Sequence, residues 1–305
     1  MELGVFLPVS GRAAGPEVLR EAASSAEAQG FDAAWSAERV VQPGRIDTPY
    51  PYAEGDEFIV PPDRPFLDAL TCLAFLAGCT ARIKLGVSVT VLPYHHPLRL
   101  ARVAVTLDRL SRSRFLFGVG VGWMREEFDA LGVPFAERGR ISDEQIEVFR
   151  LLWSEPRAAY QGRHYRFQDV ALEPKAPLPI WVGGEGRAAR RRAGRLGDWW
   201  FPYFVRIAPE ELARLHQEVR GFAAEAGRDP DRVRLAACAQ VEVTERDVPQ
   251  EPDRLRGSPA QLVEAIERWR RAGVEHLALQ FMVPRWPERR EQIARFAEAV
   301  IGAGG

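Results

Sequence analysis

Cysteine is scarce in this chain. Cys72, Cys79 and Cys238 are the only three in 305 residues, too few and too scattered for a disulfide framework or a zinc site. That scarcity suits a reducing compartment, so a cytoplasmic location is expected. Charge of one sign is also lacking: the formal net charge is -1, which gives no electrostatic reason to expect nucleic acid or an anionic membrane as a partner. No stretch approaches the ~20 apolar residues of a membrane span. The N-terminal run Met1-Glu2-Leu3-Gly4-Val5-Phe6-Leu7-Pro8 has neither the basic start nor the apolar core of a signal peptide. Internal repeats, low-complexity tracts and linkers are missing as well. What is present is an ordinary globular balance, 46% hydrophobic and 27% charged. A chain of this length often divides in two, but α/β barrels run to roughly 250 residues or more as one domain. One domain over 1–305 is the economical expectation.

The chain alternates short β-branched runs with longer amphipathic segments. Strands are expected at Leu3–Leu7, Phe31–Trp35, Ile83–Leu92, Phe115–Val121, Ile180–Val182, Trp199–Phe201, Val233–Val243 and His276–Phe281. Between them lie helical patterns with recognisable ends. Pro16 suits a first turn and Gly30 a stop, Pro97 opens a helix through Leu110, and Ser258-Pro259 reads as an N-cap followed by proline. Two stretches break the rhythm. Residues 41–64 are rich in Pro, Gly, Asp and Tyr and too long for an ordinary connection, which points to function. Residues 155–178 read as an extended excursion. Eight strands alternating with helices predict a (β/α)₈ barrel, of class α/β. A doubly wound sheet competes, but it would show a phosphate turn after the first strand, and Pro8-Val9-Ser10-Gly11 does not fit one.

In a barrel the chemistry sits at the C-terminal ends of the strands. Three segments stand out there. Phe117-Gly118-Val119-Gly120-Val121-Gly122-Trp123, with Glu126-Glu127-Phe128 after it, has alternate glycines that let a flat ligand or a phosphate chain approach the backbone. A tight strand exit into a crowded interior explains them equally well. Ile180-Trp181-Val182-Gly183-Gly184-Glu185-Gly186 runs into a helix at Arg187, so its N–H groups form an anion site. The bland reading is a turn that needs glycine for positive φ. Leu85 to Pro97 ends in Tyr94-His95-His96. Adjacent histidines point apart on an extended chain and match no metal spacing. One of them, or Tyr94, is expected to line a pocket, and no metal is expected. Trp35, Trp123, Trp181, Trp199 and Trp200 fall near strand ends and could wall a ring pocket or simply pack.

Together these runs resemble the luciferase-like monooxygenase superfamily. The resemblance is carried by Arg82 to Pro97, Leu107-Asp108-Arg109-Leu110-Ser111, Gly118 to Trp123 with Glu127-Phe128 and Leu131-Gly132, and Pro179 to Gly184 with Gly197-Asp198. The branch most similar is that of coenzyme F420 (deazaflavin)-dependent oxidoreductases, to which Thr48-Pro49-Tyr50-Pro51-Tyr52 and Pro61 to Asp68 also look alike. It covers most of residues 1–202. It implies a barrel with an added excursion, a ring at the mouth, and a non-proline cis peptide at the end of the third strand, here Ser88-Val89. It implies cofactor contacts from Phe6, Ser88, Val89, Gly118, Gly120, Gly122, Trp123, Gly183, Gly184, Glu185, Gly186 and Arg187. Members often carry Asp-His at the second strand end; this chain has Glu38-Arg39, so the carboxylate stays and the imidazole is gone. Trp123 stands where sugar-phosphate dehydrogenases of the superfamily carry glutamate, which argues against a sugar-phosphate substrate.

The function so implied is hydride transfer between reduced coenzyme F420 and an organic small molecule, with Glu38, Tyr94 or His95 as proton donor, in a homodimer. An FMN-dependent monooxygenase served by a separate reductase is the alternative. A non-catalytic cofactor-binding barrel and a barrel for another phosphorylated ligand are the readings of other classes. The cluster Arg187, Arg190, Arg191 and Arg192 suits the carboxylate tail of F420. Arg187 in particular needs an anion, because a cation in a first helical turn opposes the helix dipole.

Overall fold

The computed structural model describes residues 1–52, 58, 60–203, 206–251, 253–283 and 285–302. Residues 53–57 and 59, part of the loop expected to carry function, lie outside the described residues.

All eight expected strands form, and they close on one another. The barrel runs β1 (Glu2–Phe6), β2 (Ala33–Ser36), β3 (Lys84–Val91), β4 (Phe115–Gly120), β7 (Ile180–Gly183), β8 (Trp199–Phe201), β9 (Arg234–Val243) and β11 (His276–Phe281). Every neighbouring pair is parallel, and β8–β9 and β11–β1 complete the ring. Helices α1 (Pro16–Ala28), α2 (Ala69–Ala77), α3 (Pro97–Leu110), α4 (Arg125–Ala130), α5 (Arg138–Ser154), α6 (Arg187–Leu196), α7 (Pro209–Glu225), α8 (Pro259–Arg271) and α9 (Trp286–Phe296) lie in the connections. This is the (β/α)₈ barrel that the alternation predicts. No described helix is long and apolar enough to cross a membrane.

Helix ends follow local chemistry. Pro16, Pro97, Pro209 and Pro259 each sit in a first turn, where no N–H is missed. Ser258 and Gln261 form a capping box at α8. The excursion 155–178 contains an antiparallel hairpin, β5 (Ala158–Gln161) with β6 (Arg166–Val170). It is tied to α5 by Tyr160 Oη donating to Glu147 at 2.7 Å and by Glu144 accepting the N–H groups of Arg163 and His164. A further strand, β10 (Leu255–Gly257), was not expected. Because β8 has only three residues, the upper end of β9 is left unpaired by it and takes β10 instead.

Two apolar layers form. Outside, strand residues such as Phe117 pack on α5 through Phe149 and Trp153. Inside, Phe6, Ala33, Trp35, Trp181, Trp199, Phe201, Ala236, Cys238 and Ala278 fill the barrel. Trp181 and Trp199 stack with centroids 4.0 Å apart, and Trp35 lies 4.7 Å from Phe201. The Trp35 indole fits because it lies over Gly86, its register partner on β3, and over Gly4 on β1; a Cβ on either would run into the ring. Of the five tryptophans considered as pocket walls, Trp35, Trp181 and Trp199 therefore make the barrel interior. Trp200 turns to the helix layer, where Nε1 donates to the Gly184 carbonyl. Trp123 alone stands at the mouth.

Candidate active site

The parallel strands bring the ends of β1, β2, β3, β4 and β7 to one mouth, with Gly120 and Gly183 closing adjacent strands. At the end of β3 the Ser88–Val89 peptide is cis, as the resemblance implied. The register of β3 against β4 slips between Val87 and Thr90, so the strand bulges there. The bulge lies against three glycines. A Cβ on Gly120 would come within 2.5 Å of Val89 Cγ2, and one on Gly183 within 2.9 Å of Val89 Cγ1; one on Gly118 would strike the Val87 carbonyl. Ser88, Val89, Gly118, Gly120 and Gly183 thus form one cradle, floored from across the barrel by Cys238, 3.7 Å from Ser88 Oγ. The buried Thr90 hydroxyl on the same strand has no partner among the described residues.

The segment after β2 is held by two adjacent carboxylates on α4. Glu127, which is buried, accepts the N–H groups of Val40 and Val41 at 2.8 and 3.0 Å and forms an ion pair with Arg39. Glu126 accepts the N–H groups of Asp47 and Thr48. Arg39, itself buried, lies under Phe58 and Trp123, its guanidinium 4.5 and 5.4 Å from their centroids. An aromatic arc continues from Trp123 through Tyr50 (5.0 Å), Tyr52 (5.5 Å) and Tyr203 (5.1 Å) to Phe6 (5.9 Å). Burial pushes the Tyr50 hydroxyl up to about 12 and raises those of Tyr52 and Tyr203, so all three stay protonated at neutral pH.

The three proton-donor candidates are all engaged with protein. The Glu38 side chain is fully buried; it accepts from the Val91 N–H at 2.6 Å and meets His95 Nε2 at 3.0 Å. It does not pair with Arg39. Burial works to lower the His95 pKa, but the Glu38 hydrogen bond and charge outweigh it and hold it above its ordinary value. Tyr94 donates to Glu127 at 3.1 Å, and burial and that carboxylate raise its pKa further.

The turn after β7 is different. Gly184 has φ of +103°, a conformation in which side chains are strained, and Gly186 starts α6 with no side-chain cap. Gly122, with φ of +78°, makes the matching exit from β4. Between Gly184 and Gly186 the Glu185 carboxylate has no hydrogen-bond or ion-pair partner among the described residues. Burial alone pushes its pKa up to about 7, and its charge acts on Tyr52. Arg187 turns away: it is 74% exposed, lies 3.6 Å from Glu218 and covers the Phe222 ring on α7. The anion its position demands is thus supplied by the chain. Arg190 also pairs with Glu218, and Arg192 with Asp143.

Sequence reasoning missed the Glu127 hub and the roles of Arg39, Tyr203 and Cys238. Glu127 carries no local signal, because its partner Arg39 is 88 residues away. The tyrosines carry none, because their neighbours are remote in sequence.

Known proteins resemble this chain in sequence and in fold. The chain aligns over 269 residues, 84% of its own length and 70% of the other's, at 29% identity with the phthiodiolone/phenolphthiodiolone dimycocerosates ketoreductase of Mycobacterium bovis. An F420-dependent secondary alcohol dehydrogenase, solved with an F420-acetone adduct, superposes with a TM-score of 0.78 at 19% identity over 98% of both chains. The monooxygenase RslO1 from Streptomyces bottropensis superposes equally well, at 0.78, with 21% identity and full coverage of both chains. The family model described as luciferase-like monooxygenase matches residues 1–251, and the chain therefore belongs to the luciferase-like monooxygenase family.

Proposed function

We propose that this protein is an oxidoreductase that holds coenzyme F420 at the barrel mouth and reduces an organic small molecule. The observation that carries the reading is the β3 bulge at the mouth, with Val89 seated on Gly118, Gly120 and Gly183, where a Cβ would strike Val89 or the Val87 carbonyl. Such a surface suits a flat ring pressed close to backbone. When bound, the deazaflavin supplies a hydride from ring carbon and activates oxygen poorly. The residues of the chain do the rest. Gly184, Gly186 and the free N–H groups of α6 hold the ribityl phosphate. The arc from Phe6 to Trp123 excludes water. Glu185 supplies the proton: it is half-buried, its carboxylate has no partner among the described residues, and it is near half-protonation at neutral pH. Glu38, satisfied by Val91 and His95, is a positioning residue for the loop after β3. A homodimer in the cytoplasm completes the reading.

The FMN-dependent monooxygenase, served by a separate reductase, keeps one observation in its favour. Arg190 and Arg192 are held by Glu218 and Asp143, so the cluster suggested for the polycarboxylate tail of F420 is largely occupied. The two readings separate by activity. Oxidation of reduced F420 by a panel of ketones under nitrogen supports the first. Oxygen consumption with FMN and a reductase supports the second. No turnover with either ring overturns both.

A further inference from the structure

Across the mouth from the Gly183-Gly184 turn lies a cavity of about 420 Å³ that belongs to neither the cradle nor the aromatic arc. In an eight-strand ring β1 is opposite β7, and this cavity is built from the loop after β1, residues 61–64, and the start of α9 after β11. The walls are tied together: the Gly11 N–H donates to the Pro65 carbonyl, the Leu67 N–H to the Val9 carbonyl, and Ser10 bridges Phe66.

Four arginines line it: Arg12, Arg64, Arg285 and Arg289. Arg64 lies 3.5 Å from Asp63, and Arg285 lies 3.1 Å from Glu288. Arg12 and Arg289 have no carboxylate partner among the described residues. Arg289 is half-buried, and its protein hydrogen bond is from Nε to the Val283 carbonyl at 2.8 Å. Burial lowers its pKa with no opposing anion. The N-terminus of α9 opens into the same space with no side-chain cap. A positive helix end and several cations converging on one cavity repel one another unless an anion lies between them.

We propose that this cavity is an anion subsite that takes a carboxylate or phosphate group of a small molecule. Guanidinium forks from three chain segments suit the bidentate geometry of those groups. Two molecules at this mouth could bring such a group: the substrate, or the carboxylate tail of the cofactor. Either assignment rests on the oxidoreductase reading; anion binding itself does not.

The test is calorimetric titration of the cofactor-free protein with inorganic phosphate and with citrate, at low ionic strength in a cationic buffer. Saturable binding is expected, weakened about tenfold or more in Arg12→Ala and in Arg289→Gln, the loss of a charge-assisted contact. Arg12 is exposed and without an ion-pair partner among the described residues, so its variant keeps the fold even if Arg289→Gln does not. Arg191→Ala, on the opposite side of the mouth, should bind like the parent. Absence of saturable heat, or equal affinity in Arg12→Ala and the parent, overturns the proposal. A second titration uses F420 and its tail-free, phosphate-free ring alcohol. If Arg12→Ala weakens F420 alone, the anion is the cofactor's; if it changes neither while phosphate binding is lost, the anion is the substrate's. Failure of both rings to bind would sink the oxidoreductase reading and leave the subsite standing.

Discussion

Trp35 Nε1 donates to His276 Nε2 at 3.0 Å inside the barrel. This contact fixes the imidazole as an acceptor at Nε2, so its proton sits on Nδ1, 3.1 Å from Glu2 Oε2. A second proton on Nε2 would face the indole N–H. Burial accordingly lowers the His276 pKa, although Glu2 works against that shift. The floor of the barrel is thus built around a neutral histidine.

Acid should therefore loosen the floor. A histidine whose folded pKa is depressed binds its proton more readily when unfolded, so its contribution is lost as pH falls below about 6.5. Glu2, held down to about 2 by its His276 hydrogen bond against burial, loses its contribution as pH falls from 4.5 toward 2. Trp35→Phe leaves the His276 acceptor unpaired and should cost about 1–3 kcal/mol at pH 7.5. The variant should also lose less stability than the parent between pH 7.5 and 5, because the clash with a second imidazole proton is gone. Denaturant titrations at both pH values check this; parallel loss in the two proteins would contradict it.

Gly120→Ala tests the cradle. The new methyl would lie 2.5 Å from Val89 Cγ2, and Val89 has to move. Overpacking of this kind costs about 1–3 kcal/mol, while affinity for a flat ring should fall at least about tenfold, a loss of about 1.4 kcal/mol. Thermal unfolding and fluorescence quenching separate the two effects. Ring affinity equal to the parent's would show that the Val89 bulge over Gly120 is not the binding surface.

Glu185 should act as a site residue held at a cost in stability. Its pKa, raised to about 7 by burial, means that the unfolded chain releases the proton first. Stability then falls as pH rises from about 4.5 through 7. Glu185→Gln removes that loss, so the variant should match the parent near pH 4 and exceed it near pH 8. Discounted for solvent screening, the gain is about 1–2 kcal/mol. Turnover should drop by about 100-fold or more, in the range of a lost general acid. A Gln variant with full turnover would remove Glu185 from the mechanism.

Glu38→Gln should change His95 more than the ring. The Glu38 charge holds the His95 pKa up, and the pair's contribution is fully present below about 6.5 and lost as pH rises through the folded value. Removing the charge should lower the His95 pKa, read by histidine NMR titration, and reduce turnover more than cofactor affinity. An unmoved His95 titration would show that the pair is not coupled.

Much of this was legible in the sequence because barrel strands, buried on both faces, read as unbroken apolar runs with helical patterns between them. Ser258-Pro259 and Pro97 marked their helix starts through chemistry local to the chain. The cradle glycines at 118, 120 and 183 could be singled out because glycine at a strand end is costly without a close approach. The interior location of Trp35, Trp181 and Trp199 was not legible: whether an aromatic near a strand end faces core or mouth is set by register and by the small residues opposite. The role of Arg39 was hidden for a similar reason. Its partner Glu127 is 88 residues away, and the pairing depends on how two loops meet. The hairpin at 158–170 lacks an alternating apolar pattern because it packs on α5 rather than in a sheet core.

The identity of the ring decides which chemistry this barrel performs. Fluorescence titration of the cofactor-free protein with coenzyme F420 and with FMN, side by side in one buffer, tests it most directly. Tighter binding of F420 is expected, with loss of both affinities in Gly120→Ala. Tighter binding of FMN would contradict the cofactor assignment and favour the monooxygenase.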